Sequence, residues 1–115
     1  MTKTKDFRVY LDDIIESCTL IARYIRGKSQ TAFENDRQLQ DAVARRLEII
    51  GEAIKRLPAN TRTKNPEITW SKAIGMRNIL AHDYDDVDYD QVWSTIKELL
   101  PAFKKQIKVL LDANP

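Results

Sequence analysis

The chain has 115 residues, 43% of them apolar and 31% charged, which gives one domain over 1–115 with a single hydrophobic core and excludes a disordered chain. Nineteen Lys and Arg against seventeen Asp and Glu leave a net charge of +2, so the totals carry no nucleic-acid footprint and any such contact has to be local. The single cysteine excludes an internal disulfide, and no apolar run reaches membrane-spanning length.

With no apolar signal region behind Met1, the chain reads as cytoplasmic. The first helix is expected after a cap at Thr4 or Asp6. Phe7, Tyr10, Leu11, Ile14, Ile15, Cys18, Ile21, Ala22 and Ile25 recur at helical three-and-four spacing. Cys18 falls on that apolar stripe and reads as core, not as a nucleophile. Gly27 supplies a stop, because glycine takes the left-handed conformation at a helix end without penalty.

Ser29 can cap one turn that presents Phe33 to the core, and Asn35-Asp36 opens a second long helix. Its stripe is Leu39, Val43, Leu47, Ile50, Ile54 and Leu57, ended by Pro58. Gly51 lies inside it, where glycine costs about 1 kcal/mol relative to alanine, and marks a close helix–helix approach. Pro58 to Ile68 is expected to be a polar loop, the longest in the chain.

Thr69 or Ser71 caps a third helical pattern containing Trp70, Ala73, Ile74, Leu80 and Ala81. Asp88, with Gln91 three positions later, has capping-box spacing and opens the last helix. That helix carries Tyr89, Val92, Trp93, Ile96, Leu99 and Leu100, and continues through Phe103, Ile107, Leu110 and Leu111. Pro101 has no backbone N–H and disfavours helical geometry at the preceding residue, which predicts a kink or break there. The fold class is therefore all-α: an antiparallel bundle of four main helices plus a short turn.

The richest chemistry lies late in the third pattern, at Arg77-Asn78-Ile79-Leu80-Ala81-His82-Asp83-Tyr84. His82 is the only histidine and titrates near neutral pH, and Arg77 is a fixed cation suited to a phosphate. On a regular helix Arg77, Ala81 and Tyr84 share one line. Asn78 and His82 share another, about 100° around the axis. Spacing alone leaves two readings open, a solvated polar face or half of a site. Acid–base cleavage of RNA needs both a base and an acid, whereas one chain supplies one histidine. A two-fold dimer would bring two histidines and two arginines together.

Arg77-x4-His82 fits the motif of HEPN domains, and its extension to Tyr84 resembles the HepT branch of the HEPN/MNT toxin–antitoxin systems. Arg45-Arg46-Leu47-Glu48-Ile49-Ile50-Gly51-Glu52-Ala53 and Trp70-Ser71-Lys72-Ala73-Ile74-Gly75-Met76 are similar to the same branch, and the likeness runs from about Phe7 to Leu111. The resemblance implies a metal-independent ribonuclease toxin, a homodimer with its site in the cleft between protomers and no cofactor. It implies Arg77 and His82 as catalytic residues and Asn78 as support. It also implies a minimal nucleotidyltransferase antitoxin as partner, with Tyr84 as the tyrosine that receives AMP, and an RNA substrate such as a tRNA or mRNA. The alternative is a non-catalytic helical dimer that serves as a binding module for that nucleotidyltransferase. A purely structural bundle accounts for the apolar stripes but leaves the polar cluster unexplained.

Other clusters carry less. Asp86, Asp88 and Asp90 match the first, third and fifth positions of a calcium loop, but Gln91 and Lys97 occupy its glycine and glutamate positions. Asp83, Asp85 and Asp86 read as loop and cap residues, so no metal site is expected. Arg45, Arg46, Lys55, Arg56, Arg62 and Lys64 read as a solvated face, of which a part could line an RNA path. Trp70 and Trp93 read as core or dimer anchors, and Tyr10, Tyr24 and Tyr89 as structural.

Overall fold

Helix α1 spans Phe7–Ile25 and helix α3 spans Arg37–Arg56, and the seam between them is the most extensive packing among the described elements. The computed structural model describes residues 6–76 and 87–114. Asp6 caps α1 by accepting a hydrogen bond from the Arg8 N–H. The Arg8 side chain also bonds the Asp6 carboxylate, and these contacts hold that carboxyl below its usual pKa. Gly27 follows the helix with φ +74°, the left-handed conformation its lack of a side chain permits. Leu11, Ile14, Cys18, Ile21 and Ile25 of α1 are buried against Val43, Leu47, Ile50 and Ile54 of α3 in one core. Gly51 is buried on α3 as well.

The short turn expected between the long helices is α2, Gln30–Glu34, capped by the Ser29 hydroxyl, which accepts from Ala32 N–H at 3.1 Å. It serves to deliver Phe33, which is fully buried. Asp36 then caps α3 through Leu39 N–H at 3.0 Å.

One expectation is corrected and another is made specific. The stretch from Pro58 to Ile68 is not an extended polar loop: Ala59–Lys64 forms a short helix, α4. Proline removes the donor that would have continued α3, yet its fixed φ suits the start of a new helical turn. Thr61 is buried under α4, and Asn65 closes it by donating to the Thr61 carbonyl at 2.8 Å. The irregularity expected near Pro101 is present, as a widened turn within a continuous helix. Helix α6, Tyr89–Ser94, runs into a π-helical turn at Thr95–Leu99 and then into α7, Leu100–Asp112. Leu100 N–H reaches back to the Thr95 carbonyl, five residues earlier. A wide turn placed just before a residue with no N–H relieves the crowding that proline would impose on a regular α-helical ladder.

Helix α5, Trp70–Met76, completes the described elements and packs on α3. Among the described residues there is no strand, and no helix is long and apolar enough to cross a membrane.

Among the described residues, one buried side-chain polar atom lacks a partner. Ser17 Oγ, on the fully buried face of α1, makes no hydrogen bond to any described group. Its neighbour Thr19 does bond back to the Ile15 carbonyl, at 2.8 Å. Leaving a buried hydroxyl unsatisfied costs about 1–3 kcal/mol. Ser17→Ala is therefore expected to raise the urea-unfolding free energy by about 1 kcal/mol, and a fall would show that the hydroxyl is satisfied. Phe33→Ala should lower it by about 3–5 kcal/mol through the cavity left behind.

Candidate functional site

Arg77, Asn78, His82 and Tyr84 lie outside the described residues, as do Asp83, Asp85 and Asp86. What the structure describes is the frame on either side of the 77–86 segment.

On the entry side, the described part of α5 runs from Trp70 to Met76 and is held by contacts to α3 and α7. Trp70 is buried and meets Phe103 of α7 edge-on, with ring centroids 6.0 Å apart at 82°. Its indole N–H donates to the Asn65 carbonyl at 3.0 Å, which ties the end of α4 to the start of α5. Gln106 of α7 clamps the same end. Its side-chain carbonyl accepts from the Thr69 N–H and hydroxyl, each at 3.2 Å, and its amide donates to the Glu67 carbonyl at 3.4 Å. Thr69 thus stands at the start of α5, as the sequence suggested, with its hydroxyl committed to α7. Ala73 and Met76 are buried on the α3 side, so the residue just before Arg77 is fixed in the core.

On the exit side, Val87 packs against the core and Asp88 caps α6 by accepting from Gln91 N–H at 3.1 Å. Tyr89 donates its hydroxyl to Gln40 of α3 at 3.1 Å and meets Phe33 edge-on at 6.1 Å. The Gln40 amide in turn donates to the carbonyls of Phe33 and Glu34, at 2.9 and 3.0 Å. Asp90 accepts a hydrogen bond from Gln30 of α2. Asp88 and Asp90 are thus committed to capping and to a helix contact. Among the described residues no group of three or more His, Cys, Asp or Glu is placed to hold a metal.

Trp93 is half-buried on Phe33, centroids 5.6 Å apart, with the Lys97 ammonium 5.6 Å over its ring. Tyr89 and Trp70 are structural, as their sequence context suggested. Cys18 is 3% exposed. Burial pushes its thiol up to about 12, although nearby Lys104 works in the other direction. A thiol held protonated in this way is no nucleophile near neutral pH.

The cationic face divides by position. Arg45 pairs with Glu48 at 3.5 Å on exposed surface. Lys55 and Arg56 close α3, and Arg62 and Lys64 close α4, all four exposed. Cations in the last turn of a helix complement its dipole, which accounts for them without a ligand. They also form a run from 53 to 66 without a single carboxylate, directly ahead of α5.

A family model described as ribonuclease HepT-like matches residues 14–110. The chain belongs to this family. The matched span begins in α1, ends in α7 and includes the whole Arg77–Tyr84 motif. A Thermococcus cleftensis protein provisionally named ribonuclease HepT is 41% identical over 88% of this chain and 92% of its own length. A Caldanaerobacter subterraneus subsp. tengcongensis protein provisionally named an RNase is 39% identical over 91% of this chain and 94% of its own length. A Methanocaldococcus jannaschii protein, named for a gamma-glutamylcyclotransferase together with a provisional RNase, is 42% identical over 94% of this chain. The chain spans about half the length of that last relative, 49%. No solved structure gives a significant match.

Within this HepT-like chain, the residues missed by sequence reasoning are the positioning ones: Gln40, Asn65 and Gln106. Gln40 and Gln106 reach partners up to 49 residues away in sequence, so no local pattern signals them, whereas Asn65 bonds Thr61 and Trp70, four and five residues away. Gly75, one residue before the buried Met76, is exposed, and a Cβ built on it meets nothing within 4 Å. Gly75→Ala is expected to raise stability by about 0.5–1 kcal/mol through helix propensity, read by urea denaturation. Destabilisation instead would mean that something approaches the α5 backbone at this point.

Proposed function

We propose that this chain is a metal-independent ribonuclease toxin that acts as a homodimer and is neutralised by a nucleotidyltransferase antitoxin. The observation that carries the reading is membership of the HepT-like family together with the intact Arg77-x4-His82-x-Tyr84 motif.

The roles follow from the chemistry of the side chains. Neutral His82 of one protomer takes the proton of the RNA 2′-hydroxyl, whose oxygen attacks the adjacent phosphorus. The bond to the 5′-oxygen breaks, and that oxygen takes a proton from the protonated His82 of the second protomer. The products are a 2′,3′-cyclic phosphate and a 5′-hydroxyl. Arg77 holds the phosphate and stabilises charge developing on its oxygens, and Asn78 supports the pair. The frame described above contributes fixed ends: buried Met76 before the motif, and core-packed Val87 with capping Asp88 after it.

The test is cleavage of a mixed tRNA and mRNA pool in EDTA. Wild-type protein should cut and leave 2′,3′-cyclic ends. His82→Ala and Arg77→Ala should each lower the rate at least about 100-fold, the usual scale for a general base or a charge-stabilising group, with unchanged circular dichroism. Unchanged cleavage in both variants would remove these assignments. No cleavage by wild type, with a stable complex to a nucleotidyltransferase partner, would favour the binding-module reading.

Tyr84 is the proposed switch. Transfer of AMP from ATP to its phenol oxygen, with release of pyrophosphate, sets a bulky anion two residues from His82 and offsets Arg77. Incubation with the partner and ATP should add one AMP to wild type and silence cleavage. Tyr84→Phe should keep cleavage and accept no AMP, and labelling of Tyr84→Phe would move the acceptor elsewhere.

A further inference from the structure

A groove of about 310 Å³ runs between α1 and the junction of the π turn with α7. It lies outside the proposed catalytic segment, and no role given so far uses it. Its floor is apolar: Ile96 comes from the π turn, Leu100 from the start of α7, and Ala22 from the exposed side of α1. One wall is cationic, formed by Lys104, Lys105 and Lys108, and no carboxylate lines the groove. None of the three lysines has an ion-pair partner among the described residues. From Ile96 to Lys108 the groove follows about 18 Å of helix at 1.5 Å per residue, or roughly three turns.

We propose that this groove is a docking site for an acidic amphipathic helix of a partner protein. Its shape is a trough between two helices, into which such a helix lays apolar anchors spaced three and four residues apart. Charge complementarity fixes the rest. Asp or Glu flanking the anchors would meet Lys104 and Lys108, one turn apart on α7, and Lys105 beside them. Single-stranded RNA fits less well, because no aromatic side chain and no arginine lines the groove to stack a base. A second copy fits less well too, since two-fold contact of this face with itself would set lysines against lysines. The π turn gives the groove its local character: it widens the helix where Ile96 faces the trough, and π turns are frequent at functional sites.

The test is selection from a displayed library of helical peptides against the full chain, followed by fluorescence anisotropy with the selected peptides. Enrichment of peptides with an apolar three-and-four stripe flanked by Asp or Glu is expected. Lys104→Glu/Lys108→Glu should weaken their binding at least about tenfold, and Ala22→Trp, which fills the trough from its exposed side, should do the same. Lys105→Glu, at an exposed lysine, gives a smaller loss and serves if the double variant loses its circular dichroism. No enrichment, enrichment of neutral or basic peptides, or binding unchanged in the folded variants would overturn the proposal. Displacement of the peptide by an RNA oligonucleotide at equal charge concentration would overturn it in favour of a nucleic-acid surface. Dimerisation abolished by the same variants would overturn it in favour of a self-interface.

Discussion

The burial of α1 against α3 is the constraint on which the other elements depend. Each is long enough to present several turns of apolar side chains, and each is amphipathic. Two of the other described helices are short: α2 has five residues and α4 six. Helices of that length do not hold in water by propensity, because nucleation is unfavourable and few bonds follow it. They form here because the α1–α3 seam offers an apolar surface and because single side chains lock them to it. Phe33 fixes α2 and Thr61 anchors α4, while Ala73 and Met76 are the buried residues of α5 that pack toward α3.

The long helices were legible because their information is local and repeated. Nine apolar positions in α1 and a cap at each end overdetermine the element, and the structure agrees at Asp6, Ser29, Asp36 and Asp88. Gly27 likewise had a physical reason to end α1, and its positive φ is that reason realised. Helix α4 was not legible. Ala59-Asn60-Thr61-Arg62-Thr63-Lys64 has one buried side chain, Thr61, and no apolar stripe. It is helical because Pro58 starts a turn and Asn65 ends it with two contacts, one to Thr61 and one to the Trp70 indole. The π turn was half legible. Pro101 announces an irregular ladder, but whether the chain breaks, bends or widens depends on what the neighbouring helices require of Ile96 and Leu100, both buried.

The candidate site divides in the same way. Its candidate residues stand out in the sequence, since one histidine, an arginine five residues before it and a tyrosine two after it make a short, dense signal. Its family was legible because that signal is flanked by two further matching blocks, and the match over residues 14–110 agrees. Its support was not legible. Gln106 to Thr69, Gln40 to Tyr89 and Asn65 to Trp70 are contacts between elements, made by residues that look interchangeable with any polar surface residue.

That division has a mechanical consequence. The two ends of the 77–86 segment are held by different parts of the bundle. The entry end is tied to α4 and α7 through Trp70 and Gln106, and the exit end to α2 and α3 through Phe33 and Gln40. The long α6–α7 helix touches both, since Tyr89 lies at one end of it and Gln106 toward the other. The π turn sits between them, at the one place where that helix departs from regular winding. Any change in the register of this turn would shift Tyr89 relative to Gln106, and with it the spacing of the two anchors. The apolar trough with its lysine wall lies on the same turn. A ligand there would press on the helix that carries both anchors, Tyr89 and Gln106.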